Sequence, residues 1–213
     1  RLQAPVLLDL MGVKYTGSSP FAVGLMNNKH YTKLALSKIK CNELLIPKDL
    51  LLGNKQIPSA EELEHIGYPM IIKPNNDGFS MGIESNSVVD SYLMAEGKIN
   101  SLQKDYNEIL AEEYIPGTDV SVFLIGNVSH ITINEAIIYK TYGNFYQETA
   151  VRDIYAKANK LSEKYPAREY LSQDILQILK KISTQIFELL HVQDIARIDY
   201  RITADNRIYF LEI

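Results

Sequence analysis

Cysteine and tryptophan are nearly missing from this sequence. Its 213 residues include one cysteine, Cys41, and no tryptophan. A single cysteine excludes a disulfide within the chain and any metal site built from several thiolates. We interpret Cys41, which follows a helical pattern, as a structural residue. This cysteine usage fits the reducing cytoplasm, which is where we expect the protein to be located.

The chain also lacks long apolar runs and a surplus of basic residues. Its longest apolar stretches, such as DVSVFLIG, have the length of strands, so no membrane-spanning helix is predicted. The opening residues RLQAPVLLDLMG lack the order of a signal peptide. A formal net charge of −4 gives no general affinity for nucleic acid, because binding along a phosphate backbone needs a basic surplus. Basic residues must therefore be considered one at a time.

The spacing of apolar residues predicts an α+β fold of two lobes, because hairpins interrupt any regular alternation of strand and helix. Ser59 and Glu62 have the spacing of a capping box before a short helix. The other predicted helices are one that ends at Leu10, one over about 21–39 with a cap or irregularity at Asn27 or Asn28, and an amphipathic helix over 172–191. Single strands are predicted in VKYTG, in NELLIPKDLLL and, buried, in PMIIKP. Paired strands are predicted on either side of the PG turn in EILAEEYIPGTDVSVFLIGN and in a closing hairpin around 204–207.

The stretch YPMIIKPNNDGFSMGIESN ends a buried strand with a lysine and continues into a glycine-containing loop. Lys73 would emerge at the strand end, where its ammonium can meet a phosphate or the polar edge of a base. Gly78 and Gly82 would let backbone amides converge on an anion, and Ser80 adds a hydroxyl. A solvated lysine beside an ordinary hairpin is the alternative.

The closing hairpin is the second candidate site. Alternation in ARIDYRI places Arg197, Asp199 and Arg201 on one face of a strand, and RIYFLEI brings Glu212 onto its partner. If the strands pair, Asp199 and Glu212 would form a magnesium site with Arg197 beside it. A ladder of ion pairs on a solvated sheet is the alternative. The apolar residues around both carboxylates favour a less open position.

Two other segments carry weaker signals. In AEEYIPGTDV, two acids and an aromatic residue precede a turn, and Asp119 follows it. This pattern suits a link between lobes that presents main-chain groups to a base and a carboxylate to a ribose, although a charged hairpin has the same composition. Lys29 in MNNKHYTK would lie on a helix face, where most lysines are simply solvated.

The order of these motifs, from GVKYTGS and NNKHYTK to ARIDYRI and RIYFLEI, resembles the ATP-grasp ligases, specifically the D-alanine-D-alanine ligase family. The resemblance spans nearly the whole chain. It implies an ATP-grasp fold in which two α+β lobes with antiparallel sheets hold ATP between them. It also implies that a carboxylate and an amine are joined through an acylphosphate with Mg²⁺ or Mn²⁺ as cofactor, in peptidoglycan precursor synthesis, with amino acids as substrates and a homodimer as the assembly.

The resemblance also assigns nucleotide-binding roles by position. Lys29 and Lys73 would contact the ATP phosphates, with Lys73 also near the adenine. Glu112, through its side chain, and the following residues, largely through their backbone, would line the adenine pocket. The residues implied for the base and the ribose are Glu112, Tyr114, Ile115 and Asp119.

The implied catalytic and metal-binding residues come from the loop and the closing hairpin. Ser80 and its neighbouring amides would cover the transferred phosphate, and Arg197 would stabilise charge on the acylphosphate and tetrahedral intermediate. Asp199 and Glu212 would bind magnesium. Cations, metal ligands and loop amides suit phosphoryl transfer, which depends on positioning and neutralisation of charge.

Two segments depart from the family pattern. The glycine loop reads GFSMG where the family has GSSxG, so Phe79 replaces a serine expected to help organise the first amino-acid site. After GNFY, the family's lysine and tyrosine correspond either to Val151 and Arg152 or to Lys157 and Ala158, and neither register supplies the tyrosine. We take Lys157 as the phosphate-facing lysine.

The predicted domains are the end of an N-terminal α/β domain (1–20), a central ATP-grasp lobe (21–110), and a C-terminal lobe (111–213) that stops after the metal-binding strand. The leading interpretation is an ATP- and magnesium-dependent ligase of the D-alanine-D-alanine type. The alternatives are a ligase of the same fold for other amino acids or short peptides, and a nucleotide-binding module without catalysis.

Overall fold

The computed structural model describes residues 2–53, 55–78 and 80–213, so the prediction about Phe79 lies outside the described residues. The α-helices are α1 (Gln3–Leu10), α2 (Pro20–Asn27), α3 (Lys29–Leu36), α4 (Ala60–Glu64), α5 (Tyr92–Leu102), α6 (Ile154–Ala158) and α7 (Gln173–Leu189). The strands are β1 (Leu44–Leu45), β2 (Asp49–Gly53), β3 (Met70–Pro74), β4 (Val88–Val89), β5 (Glu108–Glu113), β6 (Gly117–Asn127), β7 (His130–Thr141), β8 (Tyr146–Gln147), β9 (Ser162–Pro166), β10 (Asp194–Ile202) and β11 (Ile208–Glu212).

The strands form two sheets, which confirms the predicted α+β fold. The smaller sheet has four strands in the order β2-β5-β3-β4, and its pairings are antiparallel. The larger sheet has seven strands, with the order β1-β11-β10-β6-β7-β9 and with β8 paired to one end of β6. Its described pairings are antiparallel except for β1, which runs parallel to β11.

The larger sheet packs against α7, the predicted amphipathic helix. Ser172 caps the helix by accepting a hydrogen bond from the amide of Ile175. Leu179 and Ile182 on the apolar stripe are fully buried and belong to the same core as Val122 and Ile198 of the sheet. Each such aliphatic side chain contributes about 1.5–3 kcal/mol on burial, so the helix is fixed to the sheet by its sequence pattern.

The smaller sheet has its own apolar core, covered by α4 and α5. Leu63 and Ile99 from the helices are fully buried against Met70 and Ile72 of β3. The predicted capping box begins α4, where the Ser59 and Glu62 side chains each accept a hydrogen bond from the other's backbone amide. Strand β3 is buried along its whole length, as PMIIKP predicted.

Helices α2 and α3 bridge the two sheets and replace the single helix predicted over 21–39. Asn28 has extended backbone (φ −97°, ψ 105°), and its side chain accepts a hydrogen bond from the amide of Tyr31 to begin α3. On α3, Leu36 joins the core of the larger sheet, while Lys29 and Lys33 reach towards the smaller one. The predicted irregularity at this asparagine is thus a change of helix.

Two strand predictions were wrong. VKYTG forms no strand in the described structure, because Gly12 and Gly17 turn the backbone at positive φ and the amide of Gly17 donates to Asp194 instead of to a neighbouring strand. NELLIPKDLLL contains two strands rather than one. β1 joins the larger sheet and β2 the smaller, with Pro47, which lacks an N–H, between them.

The predicted domain boundaries stay predictions, but the sheets divide the chain differently. The smaller sheet runs from Asp49 to Glu113, whereas β1 and the apolar side of α3 pack with the larger sheet. Residues 114–116 carry the chain from β5 in one sheet to β6 in the other, so the PG turn joins two sheets instead of forming a hairpin. This short connection keeps the two sheets close together.

Gly117, which starts β6 at this connection, has no room for a side chain. A Cβ there would collide with the carbonyl group of Ile202, whose carbon would be 2.9 Å away. We expect Gly117→Ala to lower the free energy of unfolding by about 1–3 kcal/mol, measured by urea denaturation.

The matched control is Gly97→Ala in α5, where a Cβ meets no atom within 4 Å and the residue is exposed. It should raise the free energy of unfolding by about 0.5–1 kcal/mol, because alanine restricts the unfolded chain and suits a helix. Equal effects of the two substitutions would contradict the role given to Gly117.

Candidate active site

A cleft with about 790 Å³ of empty space lies between the two sheets. Strands β3 and β5 form one wall, β6, β7, β10 and β11 the other, and the segments around Ser80 and 151–157 border it. Ten of the eleven predicted site residues line it: Lys29, Lys73, Ser80, Glu112, Tyr114, Ile115, Asp119, Lys157, Asp199 and Glu212.

Arg197, the eleventh predicted residue, lines an adjoining cleft that shares Glu212 with the first. Its guanidinium lies beside Asp199, two residues further along the same strand. The Nε and Nη2 atoms donate to the two carboxylate oxygens of Asp199, each at 2.8 Å. The predicted residues are therefore brought together at one place, while the role of each stays a prediction.

A buried group of charges forms the floor of the cleft on the side of the smaller sheet. The carboxylate of Glu112, 1% exposed, accepts hydrogen bonds from the ammonium groups of Lys73, at 2.6 Å, and Lys33. Lys33 also lies 3.6 Å from Asp49, which pairs with His30 at 3.1 Å. Burial alone would raise the pKa of Glu112, but the two ammonium groups outweigh it and hold the pKa below its ordinary value.

Lys29 fixes the beginning of the glycine-containing loop. Its ammonium donates hydrogen bonds to the carbonyl oxygens of Pro74 and Asn75, both at 3.2 Å, and of Asp77. Burial lowers the pKa of Lys29 to about 8, and the charge of Lys73 adds to this effect while Glu212 opposes it. This ammonium is therefore still mostly charged at neutral pH and loses its charge as the pH rises past about 8.

The loop itself is connected to the segment after β8. Ser80 has a positive φ of 63°, and its hydroxyl donates to the carbonyl oxygen of Arg152 at 3.1 Å. The same hydroxyl accepts a hydrogen bond from the ammonium of Lys157. Partial burial and the charges of Arg152 and Arg197 lower the pKa of Lys157. The loop that follows β3 is thus joined to Lys157 and to the backbone of Arg152, which both lie after β8 of the larger sheet.

The closing hairpin brings the predicted carboxylates together, since Asp199 and Glu212 are direct partners across β10 and β11. Ser121 donates to Oδ1 of Asp199 at 2.6 Å, and Nη2 of Arg197 lies 3.9 Å from Glu212. The described residues contain no group of three or more His, Cys, Asp or Glu side chains placed to hold a metal ion. Two hard carboxylates fit Mg²⁺, which usually completes its shell with water and phosphate oxygens.

The segment between the sheets forms an apolar slot. Tyr114 and Val151 pack with Ile71, and the Tyr114 hydroxyl donates to the carbonyl oxygen of Ala150 at 2.7 Å. Ile115 is also buried at this wall. Such a slot, beside the connection between the sheets, suits a flat aromatic ring.

Asp119 lies near this slot and is paired with an arginine. Nε of Arg201 is 3.2 Å from Oδ1 of Asp119, but its N–H is not directed at the carboxylate, so the pair is ionic without a well-formed hydrogen bond. Arg201 also donates to the carbonyl oxygen of Gly117 at 3.2 Å. The arginine therefore ties Asp119 to the connection between the sheets.

The cleft has cations that no protein carboxylate neutralises. Lys73 and Arg201 are paired with acids, whereas Lys29, Arg152 and Lys157 have no carboxylate within 4 Å among the described residues. Three uncompensated cations in a partly enclosed cleft favour an anionic ligand.

The sequence interpretation gave no role to Lys33, Ser121, Arg152 and Arg201, which lie in or next to the cleft. Lys33 could have been found because it lies four residues after Lys29, on the same face of a helix. Arg201 follows the alternation of the closing strand, whereas Ser121 is a single polar residue in an apolar strand and gives little signal. Arg152 was considered only as one register of an ambiguous segment.

Comparison with known proteins gives a consistent result. A family model described as the C-terminus of D-ala D-ala ligase matches residues 43–213. The chain is 24% identical over 212 residues to a D-alanine--D-alanine ligase of Lactobacillus acidophilus and 28% identical over 214 residues to one of Desulforamulus reducens. Each alignment covers 97% of this chain but 57% and 64% of those relatives. The chain thus spans roughly three fifths of the length of the curated relatives it matches.

Solved structures resemble it over nearly its full length. A D-alanine--D-Alanine ligase from Bacillus anthracis complexed with ATP has a TM-score of 0.76 at 18% identity, covering 99% of this chain and 62% of that one. The VanG D-Ala:D-Ser ligase from Enterococcus faecalis has a TM-score of 0.78 at 19% identity, covering 98% and 57%. These similarities confirm the predicted ATP-grasp fold. No helix within the described ranges is long and apolar enough to cross a membrane.

Neutralising Glu112 should destabilise the protein, because Glu112→Gln leaves the ammonium groups of Lys33 and Lys73 buried beside an uncharged amide. We expect the free energy of unfolding to fall by about 3 kcal/mol or more, measured by urea denaturation near neutral pH. The matched control is Glu43→Gln, which removes an exposed partner 3.4 Å from Lys181 and should change stability little. A Glu112→Gln protein as stable as this control would contradict the role of the buried carboxylate.

Proposed function

We propose that this chain, which belongs to the D-alanine-D-alanine ligase family, supplies the ATP-binding site of a ligase that joins the carboxylate of one amino acid to the amine of another. The observation that carries the proposal is the cleft between the two sheets, where three uncompensated cations lie near the paired carboxylates of the closing hairpin. Within the family, D-alanine is the leading substrate. A ligase for other amino acids or short peptides is the second candidate, which the departure at Phe79 and the missing tyrosine after GNFY favour.

The proposed nucleotide lies across the cleft. The adenine occupies the apolar slot between Ile71 and Val151, with the main chain around Tyr114 and Ile115 and the carboxylate of Glu112 at its polar edge. The ribose is held by Asp119. The phosphates lie towards Lys29, Lys73 and Lys157, whose positive charges would otherwise be only partly compensated.

Asp199 and Glu212 would hold Mg²⁺ or Mn²⁺, which would supply neutralisation of charge on the phosphates and on the transferred group. Ser121 supports this role because its hydroxyl donates to Asp199 and fixes one oxygen of that carboxylate. Arg197 donates to the same carboxylate through two N–H groups and lies at the junction of the two clefts, so its charge can orient a reacting carboxylate beside the metal ligands.

The proposed reaction has two steps. The carboxylate of the first amino acid attacks the terminal phosphorus of ATP, the bond to the bridging oxygen breaks, and ADP leaves with that electron pair. The amine of the second amino acid then attacks the acylphosphate, and phosphate leaves as the amide forms and a proton is lost. The residues act by binding and orienting both anions, because this chemistry needs positioning and electrostatic stabilisation more than a nucleophilic side chain.

The third interpretation, a module without catalysis, requires the same nucleotide-binding groups but no arginine beside the metal ligands. The pairing of Arg197 with Asp199, itself a partner of Glu212, therefore supports a ligase. A role in peptidoglycan precursor synthesis, a cytoplasmic location and a homodimer remain predictions that follow from the family resemblance.

A phosphate-release assay tests the proposed function. The full-length gene product, with Mg²⁺ and ATP, is assayed against a panel of D- and L-amino acids and short peptides. Stimulation by D-alanine alone supports the leading substrate, and stimulation by another amino acid or peptide supports the second candidate. No stimulation despite ATP binding would show a module without catalysis.

In the same assay, Arg197→Ala should keep its affinity for ATP and lose at least about 100-fold in ligation rate, because the lost charge acts on the reacting groups. Arg168→Ala, which removes an exposed arginine outside the cleft, is the control. Ligation by Arg197→Ala at the rate of this control would overturn the role of Arg197.

Binding of ATP should weaken with rising pH because Lys29 has a pKa of about 8. Its ammonium is mostly charged below that pH and mostly neutral above it, so the affinity should fall several-fold between about pH 7.5 and about pH 9. Isothermal titration calorimetry measures this change. Lys29→Met should bind weakly at both pH values with a smaller ratio, whereas Lys104→Met, at an exposed lysine, should behave like the unaltered protein. An undiminished pH dependence in Lys29→Met would refute the assignment.

A further inference from the structure

Arg152 lies in the cleft in an arrangement that none of the proposed roles uses. Its guanidinium carbon is 3.5 Å from the centroid of the Tyr139 ring, so the group is stacked on the face of that ring. Both residues line the cleft beside Lys157 and Asp199. Stacking explains where the arginine is held, but it uses only the flat face of the guanidinium.

The edge of the guanidinium remains available for a ligand. All N–H donors of this group lie in its plane, and none of them donates to a described residue. The described part of the chain also places no carboxylate within ion-pair distance of Arg152. An arginine held by its face with its donors free matches the in-plane, two-point binding of a carboxylate or a phosphate.

The platform under Arg152 is fixed. Tyr139 is 2% exposed, and its hydroxyl lies 3.1 Å from the hydroxyl of Ser121, which is 2.6 Å from Oδ1 of Asp199. The hydroxyl of Ser121 is in donor geometry to both Tyr139 and Asp199, and its single proton serves one of them at a time. The ring that carries Arg152 is thereby linked to a proposed metal ligand.

The surrounding charges also favour an anion next to Arg152. Arg152 and Lys157 are close enough that the charge of the arginine contributes to lowering the pKa of the lysine. The carbonyl oxygen of Arg152 accepts a hydrogen bond from Ser80, whose hydroxyl contacts Lys157. Two mutually repelling cations, held together by their backbone and by packing, gain stabilisation from an oxyanion that binds between them.

We propose that Arg152 is a ligand-binding residue of the cleft and that its edge binds an oxyanion, either the terminal phosphate of the nucleotide or a carboxylate of the amino-acid substrate. The choice of these two candidates, the terminal phosphate and the amino-acid carboxylate, rests on the proposed function. The requirement for an oxyanion rests on the stacked and otherwise unengaged guanidinium. Arg152 therefore contributes to the choice of ligand as well as to its affinity.

The test compares Arg152→Gln, Arg152→Lys and the control Arg168→Gln, which removes an exposed arginine outside the cleft. The probes for calorimetry are tripolyphosphate, ADP and a non-hydrolysable ATP analogue, each with Mg²⁺. Steady-state phosphate release by the full-length gene product then gives kcat and KM for whichever amino acid stimulates it.

If the source is the terminal phosphate, Arg152→Gln should lose about tenfold in affinity for tripolyphosphate and the ATP analogue, but not for ADP. If the source is a carboxylate, all three affinities should stay unchanged and the KM for the amino acid should rise about tenfold at unchanged kcat. In either case Arg152→Lys, which keeps the charge but cannot stack as a plane, should recover part of the loss.

An Arg152→Gln protein that equals Arg168→Gln in every affinity and in KM would overturn the inference. Failure of the proposed function gives a different result: no amino acid stimulates phosphate release, while Arg152→Gln still loses affinity for tripolyphosphate. The inference would then stand as an anion site without ligation.

Discussion

The buried carboxylate of Glu112 is the interaction on which the site depends. It lies on β5 at the floor of the cleft, and it is neutralised from two sides by Lys73 of the neighbouring strand and Lys33 of α3. A carboxylate removed from water in this way is tolerated only with partners that are themselves well placed. The ion pair between Glu112 and Lys33 therefore holds α3 against the smaller sheet, while the other side of α3 packs on the core of the larger sheet. The same contacts hold the two lysines and the carboxylate between them in one arrangement.

The placement of Glu112 also affects the other side of the cleft, through the backbone of β5. Strand β5 leads directly into the three-residue connection to β6, so the groups around Tyr114 and Ile115 are positioned by the residues that position Glu112. Helix α3 also carries Lys29, whose ammonium holds the carbonyl groups at the beginning of the glycine-containing loop. One helix and one strand thus determine most of the proposed nucleotide-binding surface, while the closing hairpin supplies the carboxylates opposite.

Much of this arrangement could be predicted from the sequence because it follows local patterns. The capping box at Ser59, the apolar stripe of α7 and the alternation that pairs Asp199 with Glu212 depend on residues near one another in the chain. The division of β1 and β2 between two sheets could not be predicted, since it depends on which distant strands accept their hydrogen bonds. Lys33 has a helical spacing to Lys29 that could have pointed to it, but its burial could not be predicted, because its partner Glu112 is 79 residues away and a lysine on a helix face is usually solvated.

The hydrogen bond between Ser80 and Lys157 joins the loop of the smaller lobe to a segment of the larger one at the border of the cleft. An ammonium group has three N–H donors, so Lys157 can donate to a ligand in the cleft while it still donates to Ser80. A ligand held by this lysine would then also be connected to the loop, through one side chain. Its binding and the placement of the loop would depend on each other, although the loop follows a strand of one sheet and Lys157 follows a strand of the other.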